Sequence, residues 1–137
     1  MKELWDPIRS KFVIATPEER VRQKWIKAMV ESLGYPKGLL SVEKSIKNVS
    51  QTNSSRRVDI LCFTPGSEGL TALLLVECKA EDEGQKPESQ VEGYNFSVEA
   101  PFLCVIQGNS AKTFWKEGDK LSSVPFLPKY SDLLKAL

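Results

Sequence analysis

The chain has 137 residues, of which 41% are hydrophobic, and 19 basic against 18 acidic side chains give a formal net charge of +1. That length supports one domain with a real core, and that balance excludes a globally basic nucleic-acid binder, so any such contact must come from a local patch. Histidine is absent, which removes Ser-His-Asp and Cys-His catalysis, histidine-ligated zinc and histidine general bases.

Residues 1–15 are mixed in character and read as a strap or short arm. The first helix has a clear start: Thr16 can cap it, Pro17 suits the first helical position, and Glu19 completes a Thr-x-x-Glu capping box. Val21, Trp25, Ala28, Met29 and Ser32 form one stripe at helical spacing, and Gly34 stops the helix near Leu33. At about 100° per residue, Glu18 falls near the centre of that stripe and Glu19 points away. A strand is expected over 39–46, with Val42, Lys44 and Ile46 on one face, followed by a polar loop over 48–55.

Two strands, 58–63 and 73–79, flank Thr64-Pro65-Gly66-Ser67-Glu68-Gly69, which reads as a hairpin loop. A charged loop spans 81–88, and a second helix is expected over 89–98 with Val91, Tyr94 and Val98 inward. The continuous apolar run 102–106 reads as a buried strand. Thr113-Phe114-Trp115-Lys116 and Lys120-Leu121 flank Glu117-Gly118-Asp119 as a further hairpin, and 130–137 suit a short terminal helix. The order is α-β-β-β-α-β with a C-terminal hairpin extension, an α/β mixed sheet flanked by helices. A right-handed crossover makes strands 73–79 and 102–106 parallel. Cys62, Cys78 and Cys104 all fall in expected strands. An odd count without metal-ligand spacing points to reduced core thiols in the cytoplasm. No secretory segment and no apolar run long enough to span a membrane is present.

The chemistry concentrates at Arg57-Val58-Asp59-Ile60 and Leu75-Val76-Glu77-Cys78-Lys79. Glu77 and Lys79 are two apart on a strand, so they share a face at roughly 7 Å spacing. A hairpin centred near Glu68 sets Asp59 opposite Glu77, Leu61 opposite Leu75 and Phe63 opposite Leu73, with opposed side chains about 5 Å apart. Acids that close repel unless a cation or proton lies between them. Two carboxylates can hold a divalent metal and a nearby ammonium can meet developing negative charge, a combination suited to cutting a phosphodiester bond. The alternative is a buried ion pair, in which Lys79 balances only one of two carboxylates.

Taken together and in order, Thr16-Pro17-Glu18-Glu19-Arg20-Val21-Arg22-Gln23, Gly34-Tyr35-Pro36, Val42-Glu43-Lys44, Arg57-Val58-Asp59-Ile60, Leu75-Val76-Glu77-Cys78-Lys79-Ala80 and Gln90-Val91-Glu92-Gly93-Tyr94 resemble the PD-(D/E)XK nuclease superfamily. More narrowly, they resemble the N-terminal nuclease domain of type I restriction enzyme R subunits. The resemblance implies a restriction-endonuclease-like fold: one domain over 1–137, with an arm at 1–15, a nuclease core at 16–106 and a C-terminal elaboration at 107–137. It implies that Asp59 and Glu77 bind Mg²⁺, for which Mn²⁺ substitutes, with the Cys78 backbone carbonyl as a third ligand. Lys79 then activates water or stabilises the phosphate, and Gln90 and Tyr94 orient Lys79 or touch DNA. Val58 stands where the motif's name has proline.

Two further assignments stay open. Glu18 is either a first-turn acid favoured by the helix dipole or an extra carboxylate reaching the metal. Arg56, Arg57 and Lys44, with Lys79, Lys112 and Lys116, either form a strip for backbone phosphates or are simply solvated. R subunits carry an ATP-driven motor after this domain, so the expected partners are DNA and a separate motor or specificity subunit. A homodimer is also among the expected states, since many such nucleases cut duplexes as dimers. The reading is a Mg²⁺-dependent deoxyribonuclease. Its rival is a non-catalytic nucleic-acid- or partner-binding module that keeps the fold.

Overall fold

The computed structural model describes residues 2–42, 59–79, 91, 94, 96 and 100–137, with the side chain of residue 79 excepted. The expected features at Lys44, Arg56, Arg57 and Gln90 lie outside them.

The N-terminal arm is a β-hairpin. Strands β1 (Glu3–Asp6) and β2 (Lys11–Ile14) pair antiparallel, Trp5 opposite Phe12, with those rings 5.1 Å apart. Helix α1 (Pro17–Glu31) starts as expected: Thr16 Oγ1 accepts from the Glu19 amide at 3.1 Å and Pro17 takes the first turn. It ends two residues before Leu33, with Ser32 as its cap and Gly34 turning the chain at φ +74°. A 3₁₀ turn (Lys37–Leu39) leads into β3 (Leu40–Val42), of which the expected strand 39–46 is described only that far.

Strands β4 (Ile60–Gly66), β5 (Gly69–Lys79), β6 (Phe102–Gln107), β7 (Ser110–Glu117) and β8 (Lys120–Val124) complete a six-stranded sheet in the order β3-β4-β5-β6-β7-β8. Its β5–β6 pair is parallel, as the crossover requires, and the other pairs are antiparallel. The 64–69 loop is shorter than expected: the ladder runs to Gly66 opposite Gly69, leaving Ser67 and Glu68 as the turn. Gly108 and Gly118 have φ +60° and +63° at the first position of two further tight turns, the glycine-first pattern of hairpin loops. Strands β7 and β8 therefore continue the main sheet. Helix α2 (Tyr130–Lys135) closes the chain.

The β4–β5 register places Leu61 opposite Leu75, as expected, but Phe63 opposite Ala72 rather than Leu73. A bulge between Cys62 and Phe63 is the cause. It leaves Leu73 as the extra residue and turns it to the face of Leu74 instead of that of Leu75. The sheet thus has two apolar faces. One carries Ile60, Cys62, Leu74, Val76, Cys78, Phe102, Cys104 and Ile106 under α1 (Ile26, Met29) and α2 (Leu133). The other carries Leu61, Leu75, Leu103, Val105 and Phe114 under Tyr94 and Ala100. The fold is mixed α/β, a sheet-dominated structure in which the two helices of the described residues, α1 and α2, lie on one face. No helix among the described residues is long and apolar enough to cross a membrane.

The expected helix over 89–98 is not helical at its described positions. Val91 and Phe96 lie in turns, and the Tyr94 amide donates to the Val91 carbonyl at 3.0 Å. Tyr94 and Phe96 also pack edge to face at 4.6 Å against one sheet face. Residues two apart on a helix do not share a face.

All three cysteines are free and buried. Burial pushes the Cys62 and Cys104 thiols from 9.0 up to about 12. Folded thiols therefore stay neutral while unfolded ones ionise, so stability is intact below pH 9.0 and falls between pH 9.0 and about 12. Native protein at pH 8 should resist a thiol-specific chromogenic reagent, and all three thiols should react in guanidinium. Fast native labelling of Cys62 or Cys104 would contradict this packing.

Candidate active site

Asp59 sits in a bend immediately before β4 and reaches two elements at once. Its Oδ2 accepts the Cys78 amide of β5 at 2.7 Å, and its Oδ1 accepts Arg22 Nη2 of α1 at 2.9 Å. The antiparallel ladder stops one residue short of an Asp59–Glu77 pair, at Ile60 opposite Val76. Glu77 is buried on β5 and lies beside Val105 of β6, which in turn lies opposite Lys112 of β7. Glu77 and Lys112 therefore belong to one row across the sheet. The Lys112 ammonium stands 5.5 Å from the Phe114 ring on the Tyr94 face. Lys79 is the last residue of β5 and pairs with Gln107.

Cys78 offers its thiol to the helix-side core, where burial holds that thiol far above its usual pKa. Tyr94 is buried, and its hydroxyl donates to the Ala100 carbonyl at 2.8 Å, so this hydroxyl anchors the segment entering β6.

The first helix presents its acids the opposite way round from the periodicity estimate. Glu18 is 58% exposed, whereas Glu19 is buried. The buried positions are Glu19, Arg22, Ile26 and Met29, a stripe rotated from Val21, Trp25 and Ala28. Glu19 does not close the capping box either, because the Thr16 amide donates to the Ile14 carbonyl at 2.8 Å. Glu19 accepts instead from Arg9 Nη2 at 2.6 Å, from Gln23 Nε2 at 3.1 Å and from Arg22 Nη1. A hydropathy stripe scores Glu and Arg as outward-facing. The partner that makes their burial tolerable, Arg9, comes from the turn of the β1–β2 hairpin, where residues 1–15 suggest only a strap.

Arg22 is the residue that sequence reasoning missed. Its side chain is 2% exposed, with Nη1 on Glu19 and Nη2 shared between Glu18 at 3.1 Å and Asp59. The Glu18–Arg22 spacing of four was the signal available in the sequence. The chain of charges continues through Arg9 to Asp6, which is fully buried. Among the described residues no three Asp, Glu or Cys side chains converge on one point; a guanidinium lies between Glu18, Glu19 and Asp59.

Burial disfavours the Asp6 carboxylate, but Arg9 and the Ile8 amide together outweigh burial and hold its pKa below 3.8. The same burial opposes the Arg9 charge, and its bonds to Asp6 and Glu19 reverse the effect and raise its pKa.

These features define a class: a mixed α/β domain in which the first helix carries an acid–guanidinium cluster to the end of the central strands. Within that class the chain belongs to the family of type I restriction enzyme R protein N termini, whose pattern matches residues 17–128. Comparison with curated proteins and with solved structures gives no match to either. The family match starts at α1 and extends through β8, so the β1–β2 hairpin that supplies Asp6 and Arg9 precedes it.

Asp6 contributes stability above its ordinary pKa of 3.8 and loses it as pH falls through the lowered value. Asp6→Asn should cost about 1–3 kcal/mol at neutral pH, the loss of charge-assisted bonds to a buried group. It should also flatten the fall of Tm below pH 4; an acid profile as steep as wild type would refute this role.

Proposed function

We propose that this domain is a metal-dependent deoxyribonuclease of the PD-(D/E)XK type, with the restriction-endonuclease-like fold and a cytoplasmic location. The observation that carries the reading is the meeting of Asp59, at the entry to β4, with the Glu77-Cys78-Lys79 end of β5, through the Asp59–Cys78 amide bond, in a chain of the restriction-enzyme R protein family.

The residues suit a hard divalent cation. Asp59, Glu77, Glu18 and the Cys78 carbonyl are oxygen donors of the kind Mg²⁺ takes. Among the described residues of the cluster, four carboxylates (Asp6, Glu18, Glu19 and Asp59) stand beside two guanidiniums (Arg9 and Arg22). Asp59 and Glu77 would hold Mg²⁺, or Mn²⁺ in its place, which would supply Lewis acidity at the scissile phosphate and a water of lowered pKa.

The chain's own groups do the rest. Lys79 meets the charge that grows on the phosphoryl oxygens or orients the attacking water. Gln90 and Tyr94 would orient Lys79 or touch the DNA backbone, and Tyr94 also holds the segment before β6 through the Ala100 carbonyl. Lys112, in the Glu77 row, borders a groove of about 220 Å³ with Val105, Gln107, Ser110 and Pro125. With Lys116, Arg56, Arg57 and Lys44 it would contact DNA phosphates without reading sequence. A motor or specificity subunit, or a second copy of this chain, would be its partner in restriction.

One observation favours a second reading, a DNA- or partner-binding module without catalysis. Both Asp59 oxygens already bond to this chain's own groups, Arg22 and the Cys78 amide.

Nicking of supercoiled plasmid in Mg²⁺ or Mn²⁺ separates the two. Wild type should nick, EDTA should stop it, and Asp59→Ala or Lys79→Ala should lower the rate by roughly a hundredfold or more while the circular dichroism stays native. DNA binding without any nicking, or nicking equal in Asp59→Ala, would move the conclusion to the binding module.

A further inference from the structure

The geometry points to Arg22 as an internal cation that occupies Asp59 when no metal is bound and gives it up when metal binds. The inference rests on the metal site proposed above. It concerns regulation of that site, with Arg22 as a positioning residue acting through Asp59.

Three observations carry it. First, the Arg22 side chain is almost wholly buried, so its charge depends on protein partners rather than water. Second, those partners differ in kind. Nη1 bonds to Glu19, which is itself clamped by Arg9 and Gln23, a fixed anchor. Nη2 is divided between Glu18, largely exposed on the helix, and Asp59, at the sheet end. Loss of the Asp59 bond leaves Nη1 on Glu19 and Nη2 on Glu18, so the guanidinium keeps acidic partners without moving into water. Third, Asp59 is held on its other oxygen by the Cys78 amide of the strand that carries Glu77. That bond pins the carboxylate at the sheet end whether its second oxygen faces Arg22 or a metal.

A guanidinium in contact with a carboxylate oxygen repels a divalent cation from that carboxylate and shares the charge that would bind it. Arg22 therefore lowers the affinity of the site. In return it neutralises Asp59 and Glu19, which would otherwise repel each other in the metal-free protein. Metal uptake is then an exchange of one cation for another at Asp59.

The test measures metal binding, not cleavage. Mn²⁺ titration by calorimetry or electron paramagnetic resonance would compare wild type, Arg22→Gln and Asp59→Asn, with Tm recorded with and without Mn²⁺. Arg22→Gln should bind Mn²⁺ roughly tenfold more tightly than wild type, because a positive neighbour has been removed. Its Tm should fall without metal and recover more on metal addition than wild type does. Asp59→Asn should lose the binding. A residue with only a structural role would weaken binding when removed, so unchanged or weaker binding in Arg22→Gln overturns the inference and leaves the metal site standing. Absence of Asp59-dependent binding in wild type and variant alike overturns the metal site, and the exchange with it.

A second measurement needs no variant. In ¹⁵N-labelled wild type, the Arg22 side-chain resonances should shift during a Mg²⁺ titration, with the midpoint of metal binding. Arg22 signals that stay fixed through saturation would exclude the exchange.

Discussion

A buried guanidinium must be surrounded by acids, and at Arg22 that requirement links the N-terminal hairpin, the first helix and the sheet. Glu19 answers it from one turn earlier on α1, Asp59 from the entry to β4, and Arg9 and Asp6 extend the alternation of charge into the hairpin. Removing one partner would leave a neighbour charged and unsolvated, which costs far more than the pair contributes when intact. The constraint on α1 is therefore electrostatic at its first turns and hydrophobic at its later ones. Ile26 and Met29 pack on Ile60, Leu74 and Val76, and Glu19 and Arg22 continue the same stripe toward the strand ends.

The division of labour between the two sheet faces follows. The helix-side face is a continuous apolar layer that takes in the Cys78 thiol, held neutral by burial. The opposite face is capped by Tyr94 and Ala100 and carries the Glu77–Val105–Lys112 row. Asp59 precedes the strand and so escapes the alternation that commits Glu77 to one side. Its two oxygens reach across the end of the sheet, to the β5 backbone and to α1.

Most of the sheet was legible in the sequence because its signals are local. The apolar runs 73–76 and 102–106, the turn at Gly118-Asp119 and the cap at Thr16-Pro17 each state their own structure. The parallel β5–β6 pairing followed from one topological rule. What local pattern could not reach was set by distant partners. Leu73 changes face because of a bulge whose other side is Cys62 and Phe63. Tyr94 leaves the helical path because its ring and hydroxyl are held by Phe96 and Ala100. Glu18 and Glu19 exchange exposure because Arg9 reaches in from ten residues earlier. At the site, Asp59, Glu77 and Lys79 stood out by chemistry and spacing. Arg22 did not, since a lone arginine on a helix is ordinarily solvated.

The parallel β5–β6 pairing also divides the sheet by how its strands come to meet. β4–β5, β6–β7 and β7–β8 are each closed by a tight turn, so these ladders form between chain neighbours at small entropic cost. The seam between Leu74–Lys79 and Phe102–Gln107 has no such help and must close across the whole connection between β5 and β6. Contacts of long sequence separation set the pace of folding. The seam runs directly past Glu77 and Lys79, so the acidic strand end acquires its full setting only when two locally built hairpin layers have docked.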